Sequence, residues 1–350
     1  MTVTQRTRGL NLKGACLALA ISAGALSPMQ AAAADVLNIY TSRHYQTDEA
    51  FYEGFTKQTG IEVNRIEGKG DALLERLKSE GANSPADVFI TVDIAMLWRA
   101  DQAGLFQDTA SKTLEERVPA KLRHPEGRWY GLSKRARLIF YNKDAVKSGE
   151  IANYEDLADP KWRGKVCIRS SSNVYNLSLL SSIIAAKGEA AAEDWAKGVV
   201  ANFARDPQGG DTDQIKAVAA GECAIAVANS YYYVRLLTSD KEDDRKIAEA
   251  VGVVFPNQND RGTHVNVSGA GVLKSAKNTD QAIRFLEYMT RESAQRYFAD
   301  GNNEYPVVES VAANSALLSL GSFKEDTVSI AALGENQPLA QKVFDRAGWK

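Results

Sequence analysis

The chain has 350 residues, of which 44% are hydrophobic and 25% charged, with a formal net charge of −2. That balance describes a globular protein with room for one large domain or two of ordinary size. Its mild acidity argues against nucleic acid as a partner, and three cysteines with three histidines leave little for a zinc site of the usual Cys/His kind.

Arg6, Arg8 and Lys13 precede a short apolar run from Ala15 to Leu26, and small residues Ala31–Ala34 follow before Asp35. This reads as a secretory signal peptide over residues 1–34, cleaved near Ala34. The run is too short to span a bilayer comfortably. Cys16 stands at the start of the apolar run, where a lipoprotein site would want it at the end. Export removes three basic residues and no acidic ones, which takes the formal charge from −2 to −5. The remaining residues 35–350 hold no stretch long enough to cross a membrane, so a soluble exported product is expected.

The elements then follow in a regular rhythm. Val36–Tyr40 reads as a strand, Thr47–Thr59 as an amphipathic helix stopped by Gly60, and Ile61–Ile66 as an alternating strand. Asp71–Ser79 is a helix with Leu73, Leu74 and Leu77 on one face, Ala86–Ile90 a strand, and Ile94–Ala103 a helix closed by Gly104. Strand–helix alternation of this kind signals a doubly wound parallel sheet.

The pattern resets near residue 130. Leu138–Tyr141 and Val166–Ile168 read as strands, and Leu177–Ala186, Ala190–Arg205 and Thr212–Ala220 as helices. A strand over Cys223–Ala228 runs into Asn229-Ser230-Tyr231-Tyr232-Tyr233. Val251–Phe255 and Val265–Ser268 are late strands, and Ala282–Met289 and Glu292–Phe298 late helices. Cys167 and Cys223 lie in predicted strands. In an oxidising compartment they either bridge or stay as buried thiols, and the sequence leaves both open.

Two α/β units imply two lobes, and open α/β sheets bind ligands beyond the carboxyl ends of their strands. Three strand-end segments carry tyrosines: Tyr40–Tyr45, Arg169–Tyr175 and Asn229–Tyr233. An aromatic cluster that only packs is the plainer reading of any one of them. Together they offer phenol oxygens, which once ionised are hard donors suited to small, highly charged metal ions. Tyr233 is left to packing, because neighbours on an extended chain point to opposite sides. For the same reason Tyr231 and Tyr232 need a turn or a helix start to face one ion.

With these segments in view, the chain resembles the periplasmic ferric-iron-binding proteins, solute-binding components of ABC iron importers, and more closely their tyrosine-rich cyanobacterial type. The resemblance rests on Tyr40–Tyr45, Ser84–Asp93, Gly131–Arg137, Cys167–Tyr175 and Asn229–Tyr232. It implies an α/β, two-lobed periplasmic binding protein of type II, with a ligand cleft between two doubly wound sheets. Approximate boundaries are residues 35–133 plus 264–315 for lobe 1 and 134–263 plus 316–350 for lobe 2. Carried over by position, the metal ligands fall on Tyr45, Tyr175, Tyr231 and Tyr232, with His44 as an optional fifth. Better-known bacterial members carry a glutamate where Val92 stands here, and Asp93 beside it is no clear substitute. The resemblance further implies Fe3+ as the transported ligand, an inner-membrane ABC transporter permease as partner, and a monomeric binding protein that is not an enzyme. Four phenolates against one Fe3+ call for a nearby cation, and Arg43 and Arg169 are candidates by sequence proximity.

Two other classes stay in view. An exported enzyme would want a Gly-x-Ser-x-Gly elbow, a His-Glu-x-x-His helix or a phosphate-cradling glycine loop, and the chain has none of them. A binding protein for an organic or anionic small molecule would share the fold and use the tyrosines as cleft walls.

Overall fold

The computed structural model describes residues 1–2 and 35–350; all but the first two residues of the expected signal peptide lie outside the described residues. Among the described residues nine strands are laid out: β1 (Val36–Thr41), β2 (Glu62–Glu67), β3 (Val88–Thr91), β4 (Tyr130–Asn142), β5 (Val166–Cys167), β6 (Ile225–Asn229), β7 (Val251–Val254), β8 (Val265–Val272) and β9 (Tyr305–Pro306). Their order is β2-β1-β3-β8-β4-β6-β5, with β7 and β9 also pairing with β4.

The first unit is wound as its sequence predicts. β1 pairs in parallel with both β2 and β3, and the helices Glu49–Thr59, Gly70–Glu80 and Ile94–Gln102 connect or follow these strands. Gly60 ends the first helix in the left-handed conformation, at φ 75°, which glycine reaches without steric cost.

The purely parallel expectation fails at β8. This strand returns from the far end of the chain and inserts antiparallel between β3 and β4. Strand direction depends on which distant segment comes back to the sheet, and local alternation carries no signal of that.

β4 is also longer than its apolar part suggests. Thirteen residues run as one strand. Tyr130–Ala136 pairs with β8, and Arg137–Asn142 pairs with β6 and β7. One strand thus belongs to two sheets.

Apolar side chains gather on either side of this strand. One core holds Leu37 to Leu132 together with Val267 to Val311. The others hold Ala136 to Val251, with Ala340 to Trp349 packed among them. The closing helix Ile330–Ala347 has no counterpart in the sequence reading; Pro338 in its interior breaks the expected pattern. It packs against the helices Val174–Lys187 and Ile94–Gln102. Gly334 is required there, since a Cβ would collide with the Trp98 indole.

Cys167 and Cys223 are bridged, with their Cα atoms 5.8 Å apart. The bridge ties β5 to the residues leading into β6, its parallel neighbour.

Candidate metal centre

Each tyrosine-bearing segment ends at the start of a helix. Tyr45 follows β1 and precedes a short 3-10 turn, Gln46–Asp48, that leads into the helix Glu49–Thr59. Tyr175 is the second residue of the helix Val174–Lys187, whose first turn is capped by the Asn173 side chain accepting from the Asn176 N–H. That helix begins three residues earlier than the apolar pattern predicts, so Tyr175 is helical rather than in a polar loop. Tyr231 and Tyr232 lie in the first turn of the helix Ser230–Leu237, which starts directly from β6. This supplies the helix start that convergence demands. Helix N-termini present free N–H groups and a partial positive charge, so all three segments favour negative charge on the groups they deliver.

The phenols meet. Tyr45 Oη lies 3.0 Å from Tyr231 Oη and 3.3 Å from Tyr175 Oη. All three side chains are buried, Tyr231 completely. Tyr232 stands beside them with its ring 4.0 Å from that of Tyr231, and Val92 packs in the same cluster. Tyr233 turns away: it packs on Phe140, and its hydroxyl donates to the Ala248 carbonyl at 3.2 Å.

His44 sits apart from this knot, exposed to solvent. Its ring lies 4.9 Å from that of Tyr45, and Nδ1 is 3.3 Å from the Ser42 carbonyl. A proton on Nδ1 facing that carbonyl leaves Nε2 as the lone-pair nitrogen, the form that ligates metal. Asp93 is occupied structurally. It caps the helix Ile94–Gln102 through the Ala95 N–H at 3.1 Å and accepts from Asn266 and Gln337 at 3.1 and 3.0 Å.

Burial sets the acidity of the cluster. It pushes the phenols of Tyr45, Tyr231 and Tyr232 above their ordinary value, and the neighbouring phenols push further, because charge on one opposes charge on the next. Arg135 works against this for Tyr45 and Tyr231.

That arginine was not among the sequence candidates. It is fully buried on β4 and donates to Ser268 Oγ at 2.6 Å and to the Val92 carbonyl. Among the described residues no carboxylate lies within ion-pair distance of it. Burial opposes its charge, but Glu304 and the phenols of Tyr45, Tyr175 and Tyr231 outweigh that and raise its pKa above the ordinary value. Arg235, one helical turn beyond Tyr231, places its guanidinium 5.0 Å from the Tyr231 ring and 5.4 Å from that of Tyr45.

The two arginines proposed from sequence each have a carboxylate partner but still reach the cluster: the Arg43 guanidinium lies 4.9 Å from the Tyr45 ring, and Arg169 lowers the Tyr232 pKa. Arg43 pairs with Asp48 at 2.6 Å and Glu304 at 3.2 Å, and Arg169 lies 3.6 Å from Asp211.

A second buried arginine builds the frame. Arg137 pairs with Asp211 at 2.6 Å, both fully buried. It also donates to Asn229 Oδ1 at 3.1 Å and Asn176 Oδ1 at 2.8 Å. Asn229 precedes the helix of Tyr231 and Asn176 follows Tyr175, so one guanidinium fixes both helix starts.

Chemically, the cluster offers oxygen donors alone. Among the described residues no three His, Cys, Asp or Glu side chains gather as for a metal, and the two described cysteines are spent on the bridge. Phenol oxygens of Tyr175 and Tyr231 within 3.3 Å of that of Tyr45, with unneutralised guanidinium groups nearby, suit a small, strongly Lewis-acidic cation and offer little to a soft one.

Comparison with known proteins agrees with this chemistry. The family model for bacterial extracellular solute-binding proteins matches residues 83–324. Iron uptake protein A1 of Synechocystis is 55% identical over 90% of this chain and 87% of its own length. The major ferric iron-binding protein of Neisseria meningitidis is 30% identical over 95% of this chain and 98% of its own. Among solved structures, a Trichodesmium protein in complex with iron and citrate superposes with a TM-score of 0.83 at 57% identity, covering 90% of this chain and all of that one. On these likenesses, the chain belongs to the bacterial extracellular solute-binding proteins, within the two-lobed ferric-iron-binding group.

Proposed function

We propose that the chain binds a ferric ion in the periplasm through the phenolates of Tyr45, Tyr175, Tyr231 and Tyr232, with His44 Nε2 available as a further donor, and delivers it to an inner-membrane ABC importer. The observation that carries this reading is the approach of the Tyr175 and Tyr231 hydroxyls to within 3.3 Å of the Tyr45 hydroxyl in a buried cluster. The protein acts as a carrier and not as an enzyme.

The ion is the cargo, and its charge displaces the phenolic protons. Four phenolates leave the ion one negative charge in excess, and Arg135 and Arg235 lie close enough to offset it. The lobe boundaries, residues 35–133 plus 264–315 and 134–263 plus 316–350, accord with the two sets of apolar cores. With them, Tyr45 comes from one lobe and the other three tyrosines from its neighbour, so the bound ion holds the cleft closed.

A titration with ferric citrate, followed in the visible range, tests the reading. A ferric–phenolate charge-transfer band growing to one ion per chain is expected. A protein that stays colourless and retains no iron after gel filtration would sink it.

A further inference from the structure

The helix Ile330–Ala347 ends at Gly348, whose left-handed conformation at φ 74° turns the chain back on itself. The Trp349 N–H then donates to the Phe344 carbonyl at 3.0 Å. This turn lays the Trp349 indole into the apolar core around Ile139 and Leu180. Its ring centroid lies 4.6 Å from that of Phe344, 5.2 Å from that of Phe203 and 6.0 Å from that of Trp195. A buried indole needs an acceptor for its N–H, and Trp349 has one in the Arg169 carbonyl at 3.0 Å. Beside it, the Lys350 main-chain oxygen accepts from the Ser171 N–H at 2.9 Å.

Both bonds fall on the segment that joins β5 to the helix of Tyr175. The Arg169 carbonyl has a second donor there, Asn176 Nδ2 at 2.9 Å, which also reaches the Ser170 carbonyl at 3.1 Å. Asn176 is the next residue after Tyr175, and its Oδ1 is the atom that Arg137 holds. The segment is therefore fixed at its start by Trp349 and at its end by Arg137, with the Arg169 carbonyl as the shared point. Two parts of the metal cluster hang on it: Tyr175 itself, and the Arg169 guanidinium, which favours the ionised form of Tyr232.

We infer that Trp349 is a positioning residue for the metal centre: through the Arg169 carbonyl it sets where the helix Val174–Lys187 begins, and so where Tyr175 delivers its oxygen. The inference rests on the proposed ferric site and adds a residue that touches neither the ion nor its ligands. Groups that orient a ligand by direct hydrogen bonds are worth about 10- to 100-fold in metal affinity. Trp349 acts one bond further out, so the lower end of that range, about tenfold, is expected of it.

Trp349→Phe tests this, because it keeps an aromatic ring in the core and removes only the indole N–H. The Arg169 carbonyl still has Asn176, so no acceptor is stranded. Trp195→Phe is the control. It lies in the same core and loses a comparable bond, to the Tyr154 carbonyl at 2.7 Å, which keeps the Leu157 N–H at 3.2 Å. Two readouts are taken on the full-length mature proteins: the 13C-labelled tyrosine signals without iron, with Tyr175 assigned through Tyr175→Phe, and an absorbance titration with ferric ion in competition with citrate. Trp349→Phe should move the Tyr175 signal and weaken iron binding about tenfold, while Trp195→Phe leaves both as in wild type. The inference is overturned if Trp349→Phe leaves the Tyr175 signal in place, if it binds iron at the wild-type midpoint, or if Trp195→Phe weakens binding equally, which would mean general loosening of the core. A wild type that binds no iron would instead overturn the proposed function and this inference with it, whatever the Tyr175 signal does.

Discussion

Tyr231→Phe separates what the cluster does for the fold from what it does for iron. The Tyr231 hydroxyl is fully buried, and its phenol neighbour is Tyr45 Oη at 3.0 Å. Tyr45 keeps a second contact, Tyr175 Oη at 3.3 Å, so removing the Tyr231 oxygen strands no donor. The loss is one neutral hydrogen bond, about 1 kcal/mol, or about 2 °C in Tm for a chain of this length. Tyr233→Phe is the matched control, since its hydroxyl also makes one buried hydrogen bond, to the Ala248 carbonyl at 3.2 Å.

The two variants should therefore melt alike and bind iron differently. Removing even a supporting group around a metal lowers affinity about 10- to 100-fold, so losing a phenolate donor should cost more than about 100-fold in competition with citrate. Tyr233→Phe should bind as wild type does. The assay pairs calorimetric melting of the iron-free proteins with absorbance titration in the visible range. The reasoning is refuted if Tyr231→Phe develops the full charge-transfer band at the wild-type midpoint, or if Tyr233→Phe loses iron equally.

Three further outcomes follow from the frame. Asp211→Asn leaves the fully buried Arg137 without its carboxylate, which should cost about 3–5 kcal/mol and lower Tm by about 5–8 °C; a change under about 1 °C in calorimetry would show that the pair is not holding the helix starts. His264 is buried and neutral, its pKa lowered to about 3 by burial first and then by Arg137 and Arg261. Its folded value lies below its unfolded one, so its contribution is present above about pH 6.5 and falls by about 1.4 kcal/mol per pH unit below that, down to the folded pKa. Denaturant melts of wild type and His264→Gln between these limits should diverge with that slope, and parallel curves would contradict it. The Cys167–Cys223 bridge closes a separation of 56 residues, for which chain entropy gives about 4 kcal/mol; the Cys167→Ser/Cys223→Ser protein should unfold at correspondingly lower urea, and an unchanged midpoint would argue that the reduced chain is already restrained.

The tyrosines were legible because they follow apolar strands directly, and strand ends are where α/β folds place ligands. Their counter-charges were not. Arg135 and Arg137 stand in a charged stretch, Lys134-Arg-Ala-Arg137, with no apolar run to mark it as buried, yet both are fully buried on the longest strand. Only the antiparallel insertion of β8, a long-range event, brings Ser268 against Arg135. The helix start at Asn229 brings Asn229 Oδ1 against Arg137. Arg235 was within reach of sequence reasoning: once a helix begins at Ser230, position 235 lies one turn from Tyr231. Proximity in sequence favoured Arg43, which does reach the Tyr45 ring at 4.9 Å but is also neutralised by Asp48, five residues on.

The hidden charges bear on which ion the site accepts. Burial raises the phenol pKa values of Tyr45, Tyr231 and Tyr232, so without metal the cluster is stable as neutral, mutually hydrogen-bonded hydroxyls. A cation must displace those protons, and each unit of raised pKa costs it about 1.4 kcal/mol per phenol. A weakly Lewis-acidic divalent ion gains too little from phenolate to meet that cost, whereas Fe3+ gains most from small, hard, charged oxygen donors. Arg135, the helix N-termini and Arg235 lower the cost without removing it, because they favour phenolate whichever ion arrives. With the proposed ligand set, selectivity rests on the burial of the donors as much as on their identity. The same four tyrosines placed at the surface would shed their protons more readily and discriminate less.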